Sequence, residues 1–130
     1  MKIFLTAGAI TGALAVILGA FGAHLLKQLI TPEMLAVYKT GVEYQFYHTF
    51  ALLIVGILMH LNPSKVLKWS GYLFLAGTII FSGFLYLLAI TGIKILGAIV
   101  PIGGVLFVAG WVCLLVHILN ANKNLNRPLA

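Results

Sequence analysis

Residues 69–93 read WSGYLFLAGTIIFSGFLYLLAITGI, 25 consecutive positions without Asp, Glu, Lys or Arg. About 20 apolar residues in a helix cross roughly 30 Å of hydrocarbon at about 1.5 Å per residue. This run is long enough to cross once and too short to cross twice. Working outward, Lys65 and Lys68 bound it on one side and Lys94 on the other. Residues 95–122, 44–64 and 3–26 form three further charge-free runs of 28, 21 and 24 positions. The expected fold is all-α, an integral membrane bundle of four transmembrane helices at about 3–24, 41–61, 66–90 and 98–119. A single domain covers 1–130, with a polar tail from about residue 120.

Composition agrees. Of 130 residues, 62% are hydrophobic and 8% charged, with a mean hydropathy of +1.14. A soluble domain carries about 25% charged residues. So few charges would leave a soluble globule with a mostly apolar surface, which argues against a soluble enzyme, a disordered tail or a nucleic-acid-binding domain. The net charge of +6 is accounted for by basic residues at helix ends facing anionic headgroups. The single Cys113 excludes an internal disulfide, a CxxC pair and a cysteine zinc site.

The first run has a charged start in Lys2 and a cleavage-like Ala20-Phe21-Gly22. It exceeds the 7–15 apolar residues of a signal-peptide core, so it is read as a true span. Lys2, Lys65, Lys68, Lys123 and Arg127 fall on one side of four spans, and Lys27, Lys39 and Lys94 on the other. Five against three places both termini in the cytoplasm of a cell (inner) membrane.

Local signals set the boundaries. Helix 1 carries a stripe of small residues, Gly8, Gly12, Ala15, Gly19 and Ala23, for close packing inside its own bundle or across a dimer. Thr31-Pro32-Glu33 is a helix start, with a cap, a proline in the first position and an acid in the first turn. Residues 32–40 are expected as a short interfacial helical segment, or an outward extension of helix 2, with Gly41 at the joint. Asn62-Pro63-Ser64 makes a tight turn and Thr91-Gly92 a break. Pro101 suits the first turn of a helix starting near Val100. Gly83, Gly103 and Gly104 are further candidates for close packing.

Helix 2 has the densest polar cluster. Thr40, Glu43, Tyr44, Tyr47 and His48 fall within about 140° of arc, with Gln45 outside it. Ionisable groups inside a membrane are costly and face the bundle interior. The cluster is therefore read either as a ligand site or proton relay, or as a network locking helix 2 to its neighbours. His24, Ser82 and Tyr86, with Pro101, Gly103 and Gly104, count to similar depth on the other helices, so one shared pocket is expected in the outer leaflet. Axial histidine pairs (His24 with His48, His60 with His117) would suit haem. The 12-residue separation of His48 and His60 turns them about 120° apart, against a helix serving two stacked haems, and no cofactor is expected. No GxSxG or HExxH accompanies Ser82, no Asp exists for an aspartyl protease, and no metal site is expected.

Gly19-Ala-Phe-Gly-Ala-His24, Thr40-Gly-Val-Glu-Tyr-Gln-Phe-Tyr-His48, Phe81-Ser-Gly-Phe-Leu-Tyr86 and Pro101-Ile-Gly-Gly104 followed by Gly110-Trp111 resemble the domain-of-unknown-function 423 family. These are small bacterial inner-membrane proteins related to the animal transmembrane protein 256. The resemblance covers about residues 4–118 and implies a four-helix membrane protein, with no established activity, cofactor or catalytic residue. It departs after His24, where a Gly is expected and Leu25-Leu26-Lys27 stands.

Three functions are weighed. The first is a non-enzymatic membrane component whose outer-leaflet pocket binds a lipid, a quinone-like amphiphile or a partner membrane subunit. The second is a small oligomeric proton- or ion-coupled transporter or channel using Glu43 and His48. The third is a membrane-embedded enzyme using His24, Glu43, His48 and Ser82. Expected partners are membrane lipids and a second copy or another membrane protein, not nucleic acid. The charge asymmetry predicts that reporter domains fused at either terminus are active only in the cytoplasm, and an exported C-terminal reporter would reverse the assignment.

Overall fold

A computed structural model describes residues 2–125, with side-chain detail to Ala121. Four long helices follow one another: α1 (Lys2–His24), α2 (Pro32–Leu61), α3 (Lys65–Thr91) and α4 (Val100–Leu125). Short 3-10 turns at Leu26–Gln28 and Lys94–Ala98 precede α2 and α4. Among the described residues, four helical stretches are long and apolar enough to cross a membrane: Lys2–Gln28, Pro32–Leu61, Lys65–Thr91 and Lys94–Ala121.

The ends form as the local chemistry dictates. Thr31 accepts a hydrogen bond from the Met34 N–H at 3.2 Å, and Ser64 from the Leu67 N–H at 3.1 Å. Gly92 closes α3 in the left-handed region at φ +69, where a side chain would be strained. Pro101 lies in the first turn of α4, where its missing N–H costs no hydrogen bond.

Two boundaries differ from the sequence reading. Residues 32–40 are not a separate interfacial segment but the outward extension of helix 2, the alternative reading, and form the first turns of a continuous 30-residue α2. Gly41 is no joint. A Cβ there would stand 2.7 Å from the Tyr86 ring, so the glycine is a notch that admits Tyr86. The interhelical contact outweighs the roughly 1 kcal/mol that glycine costs inside a helix. At the other end, α4 runs on to Leu125, so residues 120–125 of the expected polar tail are helical. Residues 126–130, with Arg127, lie outside the described residues. The turn after His24 keeps right-handed backbone at Leu25 (φ −95, ψ −52), which needs no glycine, and it buries Leu26 against Tyr38 and Ala89.

Packing follows chain order, α1 on α2, α2 on α3 and α3 on α4. The α2–α3 pair is central, with α1 and α4 on its two flanks. α1 also reaches α3 through Phe4, which covers Gly71 and meets the Tyr72 ring edge-on at 5.3 Å. α4 reaches α2 through Phe107 and Trp111. The small stripe of α1 faces α2 within the bundle at Gly8, which meets Leu53, Gly12, which meets Thr49, and Gly19, which meets Val42; at its end Ala23 is exposed, and Gly22 packs instead, against Tyr38. Numbers rise on one helix as they fall on the other, the register of an antiparallel pair. The α3–α4 contact is a reciprocal zipper in which Phe74, Gly77 and Phe81 oppose Gly110, Phe107 and Gly103.

Gly83 and Gly104 do not pack closely. Nothing lies within 4 Å of a Cβ on Gly83, and only the Phe81 ring, at 3.9 Å, approaches one on Gly104. Each sits about 100° round its helix from the packed position beside it. At Gly103 a Cβ would stand 2.5 Å from the Phe81 backbone nitrogen, which cannot swing aside. Gly103→Ala is therefore expected to destabilise the bundle by about 1–3 kcal/mol, and Gly104→Ala to be near neutral, as read by denaturant titration in detergent. Equal effects would refute the zipper.

Candidate functional site

The buried face of α2 carries Gly41, Gln45, His48, Thr49, Leu52, Val55 and Gly56. This stripe is rotated by about 100° from the polar arc read off the sequence. Gln45, outside that arc, lies near the middle of the buried face and is a hub. Its Nε2 donates to the Thr11 carbonyl at 2.8 Å on α1, and its Oε1 accepts from the Tyr86 hydroxyl at 2.7 Å on α3. One turn on, the Thr49 hydroxyl donates to Thr11 Oγ1 at 2.9 Å. The Thr11 hydroxyl in turn donates to Ala7 O at 2.9 Å. A single amide thus ties three helices together, and the Tyr38 hydroxyl adds a bond to Leu18 O at 2.7 Å. Hydrogen bonds between side chains are the polar glue of membrane bundles.

His48, 4% exposed, occupies the opposite edge of that face. Its ring lies flat on Phe107, with centroids 3.4 Å apart and planes within 6°. The Trp111 indole N–H donates to Nε2 at 3.2 Å, since indole is a donor only. This assigns the proton to Nδ1, which donates to the Tyr44 carbonyl at 2.8 Å. Both ring nitrogens are engaged, and His48 is held as a neutral spacer between α2 and α4. Beside it a cleft of about 570 Å³ opens on the flank of the bundle, lined by Tyr44, His48, Phe81, Pro101, Gly104, Phe107 and Trp111 among others. Tyr44 packs its ring on Phe81 at 4.6 Å and is 38% exposed.

The remaining sequence candidates are dispersed. Glu43 is exposed and lines a different groove, with Gly19, Gly22, Tyr38 and Lys39 between α1 and α2. Thr40 donates to Ala36 O of its own helix at 3.1 Å. His24 and Tyr47 are exposed. Tyr86 belongs to the Gln45 hub. Ser82, 1% exposed, has a buried hydroxyl without a partner among the described residues. The cluster therefore divides in two, with Tyr44 and His48 at the α2–α4 cleft and Tyr86 at the α1–α2–α3 hub. Gln45 falls outside the polar arc of α2, and Phe107 and Trp111 of α4 have side chains that sequence alone marks only as packing. The four-residue step from Gly41 to Gln45, followed at three- and four-residue steps by His48, Thr49, Leu52 and Gly56, marks the buried stripe. Among the described residues, no group of three or more His, Cys, Asp or Glu could hold a metal ion.

Residues 18–104, a span that includes the Gln45 hub and His48, match the family described as "Protein of unknown function (DUF423)". The chain belongs to the DUF423 family. A UPF0382 membrane protein of Staphylococcus aureus (strain bovine RF122 / ET3-1) is 47% identical over 116 residues, 89% of this chain and 94% of the relative. UPF0382 membrane protein YwdK of Bacillus subtilis (strain 168) is 46% identical over 117 residues, 89% of this chain and 95% of the relative. A Staphylococcus haemolyticus relative of the same description is 44% identical over 116 residues, again 89% and 94% of the two chains. No solved structure matches the chain. Family membership and four apolar helices together make this a membrane protein of a family without an assigned activity. Within it, a double-mutant cycle of Gln45→Met and Tyr86→Phe is expected to show a coupling of about 0.6 kcal/mol, typical of such bonds in membranes. A coupling indistinguishable from zero would remove the hub.

Proposed function

We propose that the protein is a non-enzymatic component of the cell membrane, with both termini cytoplasmic, and that its α2–α4 cleft receives an apolar amphiphile, a lipid or a quinone-like molecule. The observation that carries this reading is the cleft itself. Its volume of about 570 Å³ falls in the range of small-molecule sites, roughly 300–1,000 Å³, and such sites are mostly apolar with few polar groups. Tyr44, Phe81, Phe107 and Trp111 offer aromatic surface, and Tyr44 carries the hydroxyl most able to meet a polar headgroup. By the depth of Pro101 in the first turn of α4, the cleft lies in the half of the bundle away from the chain ends, the outer half in this orientation.

Two rival readings have less support. A proton relay needs Glu43 and His48 to exchange protons, yet they line different grooves and both nitrogens of His48 are engaged. A hydrolase needs a base beside Ser82, and the His48 nitrogens bond Tyr44 and Trp111 instead.

Val108 lines the cleft and is exposed, so Val108→Trp fills the space without breaking a hydrogen bond. Native mass spectrometry of protein extracted gently from its own membrane is expected to show a bound small molecule in the wild type and not in the variant. Its mass would separate lipid from quinone. Identical spectra from the two forms would defeat the proposal, and a co-purifying protein lost in the variant would replace the amphiphile with a partner subunit.

A further inference from the structure

A second histidine is also deeply buried, at the other end of the bundle. His117 on α4 is 6% exposed. Its Nδ1 lies 2.9 Å from Ser64 Oγ, the cap of α3, which accepts the Leu67 N–H at 3.1 Å. With the Ser64 hydroxyl donating to Nδ1, the remaining imidazole proton sits on Nε2. Nε2 has no hydrogen-bond partner among the described residues, yet it is not sealed from the surroundings, since Ser82 Oγ is the sole closed-off orphan atom there. His117 instead lines a cavity of about 210 Å³ with Asn62, Ser64, Val66 and Asn120. Unlike the aromatic α2–α4 cleft, this cavity mixes two amides, a hydroxyl and an imidazole with the apolar Pro63, Val66 and Ala121.

Three independent features give that cavity one electrostatic preference. The first turn of α3 borders it at Val66; Ser64 takes up the Leu67 N–H, and the earlier N–H groups of the helix start lack intrahelical partners and carry partial positive charge. Lys65 and Lys68 are exposed on the same first turns of α3, lining the neighbouring groove, and Lys2 lies at the same end of the bundle. Both acidic side chains, Glu33 and Glu43, are on the outer half of α2, so among the described residues no acidic side chain opposes the lysines at this end. Trp69 and Tyr72 stand next to Lys65 and Lys68. Aromatic rings of this kind mark the headgroup level of a bilayer.

We propose that this cavity binds a phosphate group, with His117 Nε2–H as the buried donor, the Asn62 and Asn120 amides as further donors, and Lys65 and Lys68 in the neighbouring groove as longer-range attracting charges. At headgroup depth the source is the phosphodiester of an anionic phospholipid. A soluble phosphate ester offers the same chemistry from the aqueous side. The site is separate from the α2–α4 cleft, and neither proposal depends on the other.

The test uses the full chain in nanodiscs of phosphatidylcholine, titrated with phosphatidylglycerol or with inorganic phosphate, and reads the 15N signal of His117 Nε2. Phosphatidylglycerol is expected to shift that signal saturably in the wild type. His117→Phe keeps the ring volume, removes the donor, and is expected to weaken phosphatidylglycerol retention in native mass spectrometry by about tenfold, the scale of one charge-assisted hydrogen bond. His60→Phe, at an exposed position on the same end, is expected to leave retention unchanged. A shift with inorganic phosphate alone would keep the phosphate site and replace the lipid with a soluble ester. A signal indifferent to both would mean a cavity holding water only and would overturn the proposal, and the wild-type measurement decides this even if His117→Phe fails to fold.

Discussion

Helices in a bilayer gain little from hiding apolar surface from one another, because the lipid is equally apolar. What holds this bundle is close approach, and the α3–α4 zipper sets its terms. Phe74 and Phe81 of α3 enter notches at Gly110 and Gly103, while Phe107 of α4 enters the notch at Gly77. Large side chain and notch alternate on each helix, so the contact fits in one register only. A slip of one position would bring a ring against a backbone. The same device recurs where Tyr38 covers Gly22, Tyr86 covers Gly41 and Phe4 covers Gly71.

Polar groups lock that geometry. The Ser70 hydroxyl donates to the Gly110 carbonyl at 2.8 Å, a bond possible because the glycine lets the helices close. Gln45 does the same work across α1, α2 and α3, and His48 across α2 and α4. His48 has the residue type of a catalyst and the bonding of a strut, since its two nitrogens are consumed by Tyr44 and Trp111. Function is therefore sought in the spaces the struts hold open. With α1 and α4 on opposite flanks of the central pair, such a space opens between α2 and α4, and its aromatic walls belong to the same residues that form the zipper.

The four spans, the cap at Thr31, the turn at Asn62-Pro63-Ser64, the stop at Gly92 and the place of Pro101 are legible from the order of residues. Each rests on a local rule: the length of an uncharged run, a hydroxyl before a helix, a residue without a side chain or without an N–H. The inward direction of α2 was less legible. In a soluble helix the polar face points out, but in lipid both faces are apolar and the interior is marked by small residues and a few bonded polar ones. Glu43 and Tyr47, the most polar-looking choices, turned outward, while Gln45 turned in. The depth estimate that placed Tyr44, His48, Ser82 and Tyr86 at one level carries no information about azimuth, and so joins two separate side-chain clusters into one.

Sequence alone thus determined that the chain is a four-span helical membrane protein, roughly where each span lies, and which family it belongs to. These properties depend on contiguous residues and on the thickness of hydrocarbon. Tertiary structure alone decided that His48 is bonded at both nitrogens, that Gln45 joins three helices, that Gly103 packs while Gly104 opens onto a cleft, and that His117 reaches Ser64 across 53 positions. The physical reason is that helix rotation and partner choice are set by steric fit between distant segments, and no local rule carries that fit.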